Sequence, residues 1–283
     1  MAGDIEHRQR RDKMQLNEKV VIVTGASKGL GVSMAKVCAA EGARVIMAAR
    51  SLDLLEKVGH DIKQTGGNAL SVRCDVSQMG DLNALVDGVI SEYGRIDGLI
   101  NNAGVNFVKS FLETTEAEWD HIIDVDLKGS FFLTQLCAKR MVSQTPRGGS
   151  IVQVASVHTL ASVHGAGPYD AAKRGMVGYS KAAAIELAPF GVRINVVSPG
   201  LCRTEIWNEL IAAAPSEEAC YQFWNANIPA ERLIEPEEIA DVCVYLLGDH
   251  STSVTGANIV ADCGMTSQLV SREPYESKTI EGR

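Results

Sequence analysis

Apolar residues along this chain come in short runs and in helical periods that alternate. Val20 to Val23 is a β-branched run ending at Thr24-Gly25, the pattern of a strand buried on both faces. A helical period follows from Gly31 to Glu41 and closes on Gly42. Ala43 to Ala48 is the next strand, and Ser51 caps a helix through about Gln64. After the Gly66-Gly67-Asn68 turn come a strand at Ala69–Cys74, a helix at Met79–Tyr93 and a strand at Ile96–Ile100. The second half repeats the alternation. A long amphipathic helix is expected over about Glu116–Ser143, then a strand at Ser150–Ala155 and a helix at Tyr169–Ala188. A strand at Val192–Val197 leads into Ser198-Pro199-Gly200, and a helix at Glu237–Leu247 precedes a last strand at Ala257–Val260.

Strands that alternate with helices predict an α/β fold: a doubly wound, mostly parallel Rossmann-type sheet with helices on both faces. No linker or internal repeat interrupts residues 16–266, which read as one domain. Residues 1–15 are polar, mix acids with bases and lack a signal-like apolar core, so they read as a disordered lead-in. Residues 267–283 form a tail whose last four residues match a protease-recognition sequence and are set aside.

The 283 residues are 46% hydrophobic and 22% charged, an ordinary globular balance. A net charge of −8 without a basic stripe argues against nucleic acid as a partner. No apolar stretch approaches the roughly 18 residues of a membrane span. The seven cysteines have no Cys-x-x-Cys pair and read as buried thiols of a reducing compartment, which points to a cytoplasmic protein without a metal site.

Two constellations carry chemistry. Thr24-Gly25-Ala26-Ser27-Lys28-Gly29-Leu30-Gly31 joins the first strand to the first helix, where glycines let the backbone approach a pyrophosphate held at the helix N-terminus. Tyr169 and Lys173 stand at i and i+4 on one helix face, with Ser156 thirteen residues before the tyrosine. An ammonium beside a phenol stabilises its anion, and a serine hydroxyl can hold a substrate oxygen near it.

These motifs, with Asn101-Asn102-Ala103-Gly104 and Pro199-Gly200 followed by Thr204, resemble the short-chain dehydrogenase/reductase family in its compact single-domain branch, over roughly Leu16–Gly264. The resemblance implies that Tyr169 is the general acid/base, that Ser156 orients the substrate oxygen, and that Lys173 serves the tyrosine and the nicotinamide ribose. It implies that Gly25, Ser27, Gly29, Leu30 and Gly31 line the cofactor and that Asp75-Val76 meet the adenine. It implies further that Asn101, with Ala103 and Gly104, borders the adenosine ribose, and that Pro199, Gly200, Cys202 and Thr204 face the carboxamide. It also implies a homotetramer.

Charge argues for the phosphorylated cofactor. NAD enzymes carry an acid at the end of the second strand; here Ala48-Ala49 is followed by Arg50, with Lys28 in the glycine loop, so NADP(H) is expected. The resemblance places Asp126 where similar enzymes have an asparagine that helps hold a proton-relay water; it is expected to act through its backbone carbonyl, and reads equally as a helix residue with a local structural bond. His158 and Trp207 are candidate substrate contacts, although His158, like His164, reads equally as a loop histidine. The segment Glu205–Leu233, with Trp207, Tyr221, Phe223 and Trp224, is expected to form a lid whose aromatics either stack on a ring or sugar or close the core or a subunit contact. The expected reaction interconverts a ketone and a secondary alcohol, the substrate being a sugar, polyol or small keto compound. A same-fold isomerase or dehydratase, or a non-catalytic nucleotide sensor, is the alternative.

Overall fold

The computed structural model describes residues 14–270. Its sheet has seven parallel strands in the order β3-β2-β1-β4-β5-β6-β7. The strands are β1 (Val20–Thr24), β2 (Arg44–Ala49), β3 (Asn68–Arg73), β4 (Gly98–Asn101), β5 (Gly149–Val154), β6 (Val192–Pro199) and β7 (Asn258–Ala261). Between them run α1 (Leu30–Ala40), α2 (Leu52–Gln64), α3 (Met79–Tyr93), α4 (Glu116–Ile122), α5 (Ser130–Ser143), α6 (Gly167–Leu187), α7 (Glu205–Ala213), α8 (Glu217–Asn227) and α9 (Pro236–Leu247).

Strand periodicity splits the core in two. Val21 and Val23 of β1 pack with Met34 and Cys38 of α1, Leu55 of α2 and Val244 of α9. Val20 and Ile22 point the other way, onto Leu82 and Val86 of α3 and Leu133 and Cys137 of α5. Both sheet faces are covered, which is why the strands read as continuous apolar runs rather than alternating ones.

All strands being parallel, their C-terminal ends share one edge. The strand order reverses between β1 and β4, so a crevice opens there, beside Thr24 and Asn101. A latch closes its floor: Thr24 Oγ1 accepts from the backbone N–H groups of Asn102 and Ala103, both at 3.0 Å, and Asn102 Nδ2 donates to Thr24 O.

The helix expected over Glu116–Ser143 differs from expectation in its middle. Residues Ile123–Gly129 are π-helical, between α4 and α5. A π turn inserts an extra residue and re-aims side chains, and here it turns Asp126 fully into the interior. The lead-in expectation falls on residues outside the described ones except Met14 and Gln15, and Gln15 is already anchored, its N–H donating to Glu41 Oε2 at 2.8 Å. The expected tail is described only as far as Val270. Among the described residues no helix is long and apolar enough to cross a membrane.

Candidate active site

The glycine loop is shaped for close approach. Gly29 sits at φ 57°, and a Cβ at Gly31 would stand 2.2 Å from the carbonyl oxygen of Gly25, so only glycine fits there. Gly29 is also the N-cap of α1, with no side-chain cap and no acidic residue in the first turn. Val32 N–H turns back onto the Gly29 carbonyl at 3.1 Å, which leaves the N–H groups of Leu30 and Gly31 to a ligand, and a phosphate group fits this donor set. Thr204 and Glu205, at the start of α7, lie against Gly29: a Cβ there would be 3.3 Å from Glu205 Oε2. The β6–α7 connection thus forms one wall of the cradle. Ser27 and Leu30 are half-buried beside it, and Lys28 is exposed.

Arg50 is exposed just past the end of β2, directly after Ala48-Ala49, where NAD enzymes carry an acid. Asp75 lies close enough to Arg50 and Arg73 to feel both. Burial works against ionisation of Asp75, but hydrogen bonds from Ser77 N–H and Oγ and the two guanidinium groups hold its carboxyl below the usual range. An acid therefore shares the Arg50 neighbourhood, arriving from β3 rather than β2. Val76 is half-buried next to it.

Tyr169 and Lys173 lie on α6. Lys173 Nζ stands 5.3 Å from the centre of the Tyr169 ring. Lys173 is 3% exposed, and its Nζ reaches Asp126 Oδ2 at 3.1 Å and the carbonyl of Val154 at 3.4 Å. Burial alone disfavours the ammonium; the Asp126 carboxylate, the Tyr169 and Tyr179 phenols and the contact with Asp126 outweigh it, and Lys173 is held above its ordinary value. Asp126 Oδ1 accepts from Val105 N–H at 2.8 Å, whereas Oδ2 is close to Nζ but off the hydrogen-bonding direction. The second tyrosine nearby, Tyr179, is pushed up to about 12, mainly by burial, and bonds Ser130 Oγ. Tyr169, half-buried, is the phenol on the open side.

Asp126 differs from expectation in its contact. Its carbonyl accepts from Ser130 Oγ at 3.1 Å, while the carboxylate faces the lysine. The π turn is the reason, since it points the side chain rather than the backbone at Lys173.

Ser156 follows β5 in extended conformation, and its Oγ accepts from His158 N–H at 3.3 Å. His158 stacks edge-on against Tyr169, ring centres 5.1 Å apart, and its Nδ1 meets Asp170 Oδ1 at 2.5 Å. His164 is exposed on the following loop. Trp207 is 2% exposed and packs among Cys220, Ile228 and Leu233, so α7 and α8 share a small core of their own. Its indole N–H has no hydrogen-bond partner among the described residues.

The structure thus brings Ser156, Tyr169, Lys173, Asp126 and His158 together. Gly25, Ala103 and the latch residue Asn102 meet around the crevice, where a Cβ at Gly25 would be 2.9 Å from Ala103 Cα. Gly104 lies beside the Asp126–Lys173 pair. Asn101 is turned inward, its amide donating to Ser130 O and Thr134 Oγ1, so its backbone is what remains for a ligand. Cys202 is buried below Pro199 and Gly200, its thiol pushed up to about 12 by burial, and it bridges to Ile234. Asn102 and Thr24 stood within the sequence motifs without the role of a latch, and Asp170 was not singled out. The first two had a local signal, a polar pair at the ends of adjacent strands; Asp170 had none. Among the described residues no group of three or more His, Cys, Asp or Glu side chains is placed to hold a metal ion.

A family model described as enoyl-(acyl carrier protein) reductase matches residues 25–266. The cyclopentanol dehydrogenase of Comamonas testosteroni is 32% identical over 89% of this chain and 99% of its own. The crystal structure of a short-chain type dehydrogenase/reductase from Mycobacterium marinum superposes with a TM-score of 0.84 at 35% identity, covering 91% of this chain and 99% of that one. A variant of actinorhodin polyketide ketoreductase, solved with NADPH, gives a TM-score of 0.84 at 31% identity, covering 89% and 98%.

Proposed function

This chain belongs to the short-chain dehydrogenase/reductase family, and on that premise we propose that it interconverts a ketone and a secondary alcohol with NADP(H), Tyr169 carrying the proton. The observation that carries this reading is the Tyr169 phenol with the Lys173 ammonium 5.3 Å from its ring, on the strand-end edge that also holds the glycine cradle. Bound in that cradle, the nicotinamide supplies the hydride donor or acceptor.

In reduction, Ser156 Oγ donates a hydrogen bond to the substrate oxygen and Tyr169 Oη gives it a proton. Lys173 supports the phenolate left behind, and Asp126 keeps the ammonium in place. In oxidation, Tyr169 takes the proton back. Gly25, Ser27, Gly29, Leu30 and Gly31 would line the cofactor, with Asp75-Val76 toward the adenine and Cys202 and Thr204 toward the carboxamide. Arg50 and Lys28, both exposed, are suited to a 2′-phosphate, and the NADPH of the polyketide ketoreductase supports that choice. Arg50 is shared with Asp75, which is the reason to test both cofactors. The seven free cysteines fit a reducing compartment such as the cytoplasm, and the apolar residues left on α5 and α6 fit a homotetramer.

The test is purified protein with NADPH or NADH and a panel of ketones and secondary alcohols, followed by absorbance of the reduced cofactor. Turnover with NADPH exceeding that with NADH is expected. Turnover with neither cofactor would remove the reaction, and a preference for NADH would remove the cofactor assignment alone.

A further inference from the structure

The imidazole of His158 is held by a buried acid that the proton-handling residues do not use. Asp170 follows Tyr169 on α6, is 8% exposed, and its Oδ1 lies 2.5 Å from His158 Nδ1. Arg174, one turn further, has Nη2 3.8 Å from Asp170 Oδ2. Its guanidinium also donates to the carbonyls of His158 and Ala161, at 3.0 and 2.9 Å. Helix α6 therefore grips the 158–161 segment at its backbone and at the ring together.

A carboxylate only accepts hydrogen bonds, so Nδ1 carries a proton toward Asp170, and in the uncharged form of the ring that tautomer leaves Nε2 as an acceptor. Nε2 has no partner among the described residues. The ring lies edge-on to Tyr169, and the His158 N–H is bonded to Ser156 Oγ. A substrate oxygen taken by Ser156 and Tyr169 has this imidazole as its neighbour.

We propose that Asp170 fixes His158 as the acceptor for a hydroxyl on the carbon next to the reacting one, so that the substrate is a vicinal diol or the matching α-hydroxy ketone. This rests on the reading of Tyr169 as proton carrier. Oxidation of such a diol passes one hydride from the reacting carbon to NADP⁺ and one proton from its hydroxyl to Tyr169. The neighbouring hydroxyl is hydrogen-bonded and otherwise unchanged. An ionised carboxylate in its place brings no proton for Nε2 to accept, so a hydroxy acid is disfavoured. A polar group built to bond a substrate hydroxyl also discriminates against the analogue lacking it, because the group is then left unpaired. Asp170 acts here as a positioning residue.

The experiment compares kcat/KM for 2,3-butanediol, 2-butanol and 3-hydroxybutanoate in the wild type, His158→Leu and Asp170→Asn. The wild type should favour the diol over the mono-alcohol by about tenfold or more, and that ratio should collapse in both variants. Asparagine no longer enforces the tautomer, so Asp170→Asn should raise KM for the diol more than it lowers kcat. Nucleotide binding measured alongside reports that each variant is folded. Equal use of diol and mono-alcohol by the wild type, preference for the hydroxy acid, or an unchanged ratio in both variants would overturn the proposal while leaving the alcohol–ketone reaction standing. A wild type that turns over none of the three, nor any ketone, would take down that reaction and this inference together.

Discussion

Replacing Asp126 by asparagine should destabilise the nucleotide-free protein strongly at neutral pH and much less at alkaline pH. The carboxylate is fully buried and 3.1 Å from the ammonium of Lys173, itself 3% exposed. A unit charge pair about 3 Å apart contributes roughly 5 kcal/mol at an effective dielectric of about 20, before desolvation is counted. Removing one partner of a buried pair costs about 3–5 kcal/mol, because the other charge is left in a dry site. The ceiling is set by the lysine's escape route, which is to shed its proton. At pH 7 that costs about 4.6 kcal/mol, roughly 3.4 pH units below the ordinary lysine value at about 1.36 kcal/mol each. At pH 9 the ceiling falls to about 1.9 kcal/mol.

The sign agrees with linkage. Lys173 is raised in the wild type, so its contribution is fully present below the unfolded value of about 10.4 and is lost only as pH climbs through the folded one. The wild type is therefore flat between pH 7 and 9 with respect to this group, and the variant recovers. At about 2–4 °C per kcal/mol, a loss of about 3–4.6 kcal/mol lowers the melting temperature by about 6–18 °C at pH 7. Thermal and urea unfolding of both proteins at pH 7 and 9 measures it. A variant melting within about 2 °C of the wild type at pH 7, or one equally destabilised at both pH values, would refute the buried-pair reasoning. Because similar enzymes carry asparagine here, turnover with saturating cofactor should stay within about tenfold, or ~1.4 kcal/mol of barrier.

Other expectations follow from single contacts. Tyr169→Phe keeps the ring against His158 and removes the transferable proton, so turnover should fall about 10²-fold or more while nucleotide titration is nearly unchanged; wild-type-like turnover would clear Tyr169 of the role. Arg50→Ala should weaken NADPH about tenfold more than NADH in a fluorescence titration, and equal losses would mean that Arg50 serves Asp75 instead of a phosphate. Light scattering should give a tetramer, with Ile185→Glu shifting it toward smaller species, since Ile185 on α6 is 78% exposed; a clean monomer for the wild type at micromolar concentration would contradict this.

The β/α alternation, the glycine loop and the Tyr169–Lys173 pair were legible in the chain itself, because each depends on residues close in sequence. Burial on both faces imposes apolar runs on a strand, a βα turn against a phosphate demands glycine, and one helical turn aligns positions four apart. Boundaries shifted by a residue or two, as frayed ends do. What stayed hidden depends on contacts between distant segments. The π turn at Ile123–Gly129 points a carboxylate at Lys173, 47 positions away in the chain, a contact that no local spacing specifies. Asn101 matched a cofactor motif, yet its amide is bound by α5; of the two readings open for Trp207, pocket wall or core, the packing gives it a place in the small core that α7 and α8 share. Asp170 is an unremarked neighbour of a tyrosine until α6 and the 157–159 turn bring it onto His158. Periodicity and turn chemistry determined which elements form and what reaction class their junctions suit. Only the packed structure decided which carboxylates face which cations, because charge pairing in a low-dielectric interior depends on ångström-scale distance and burial, which no spacing along the chain encodes.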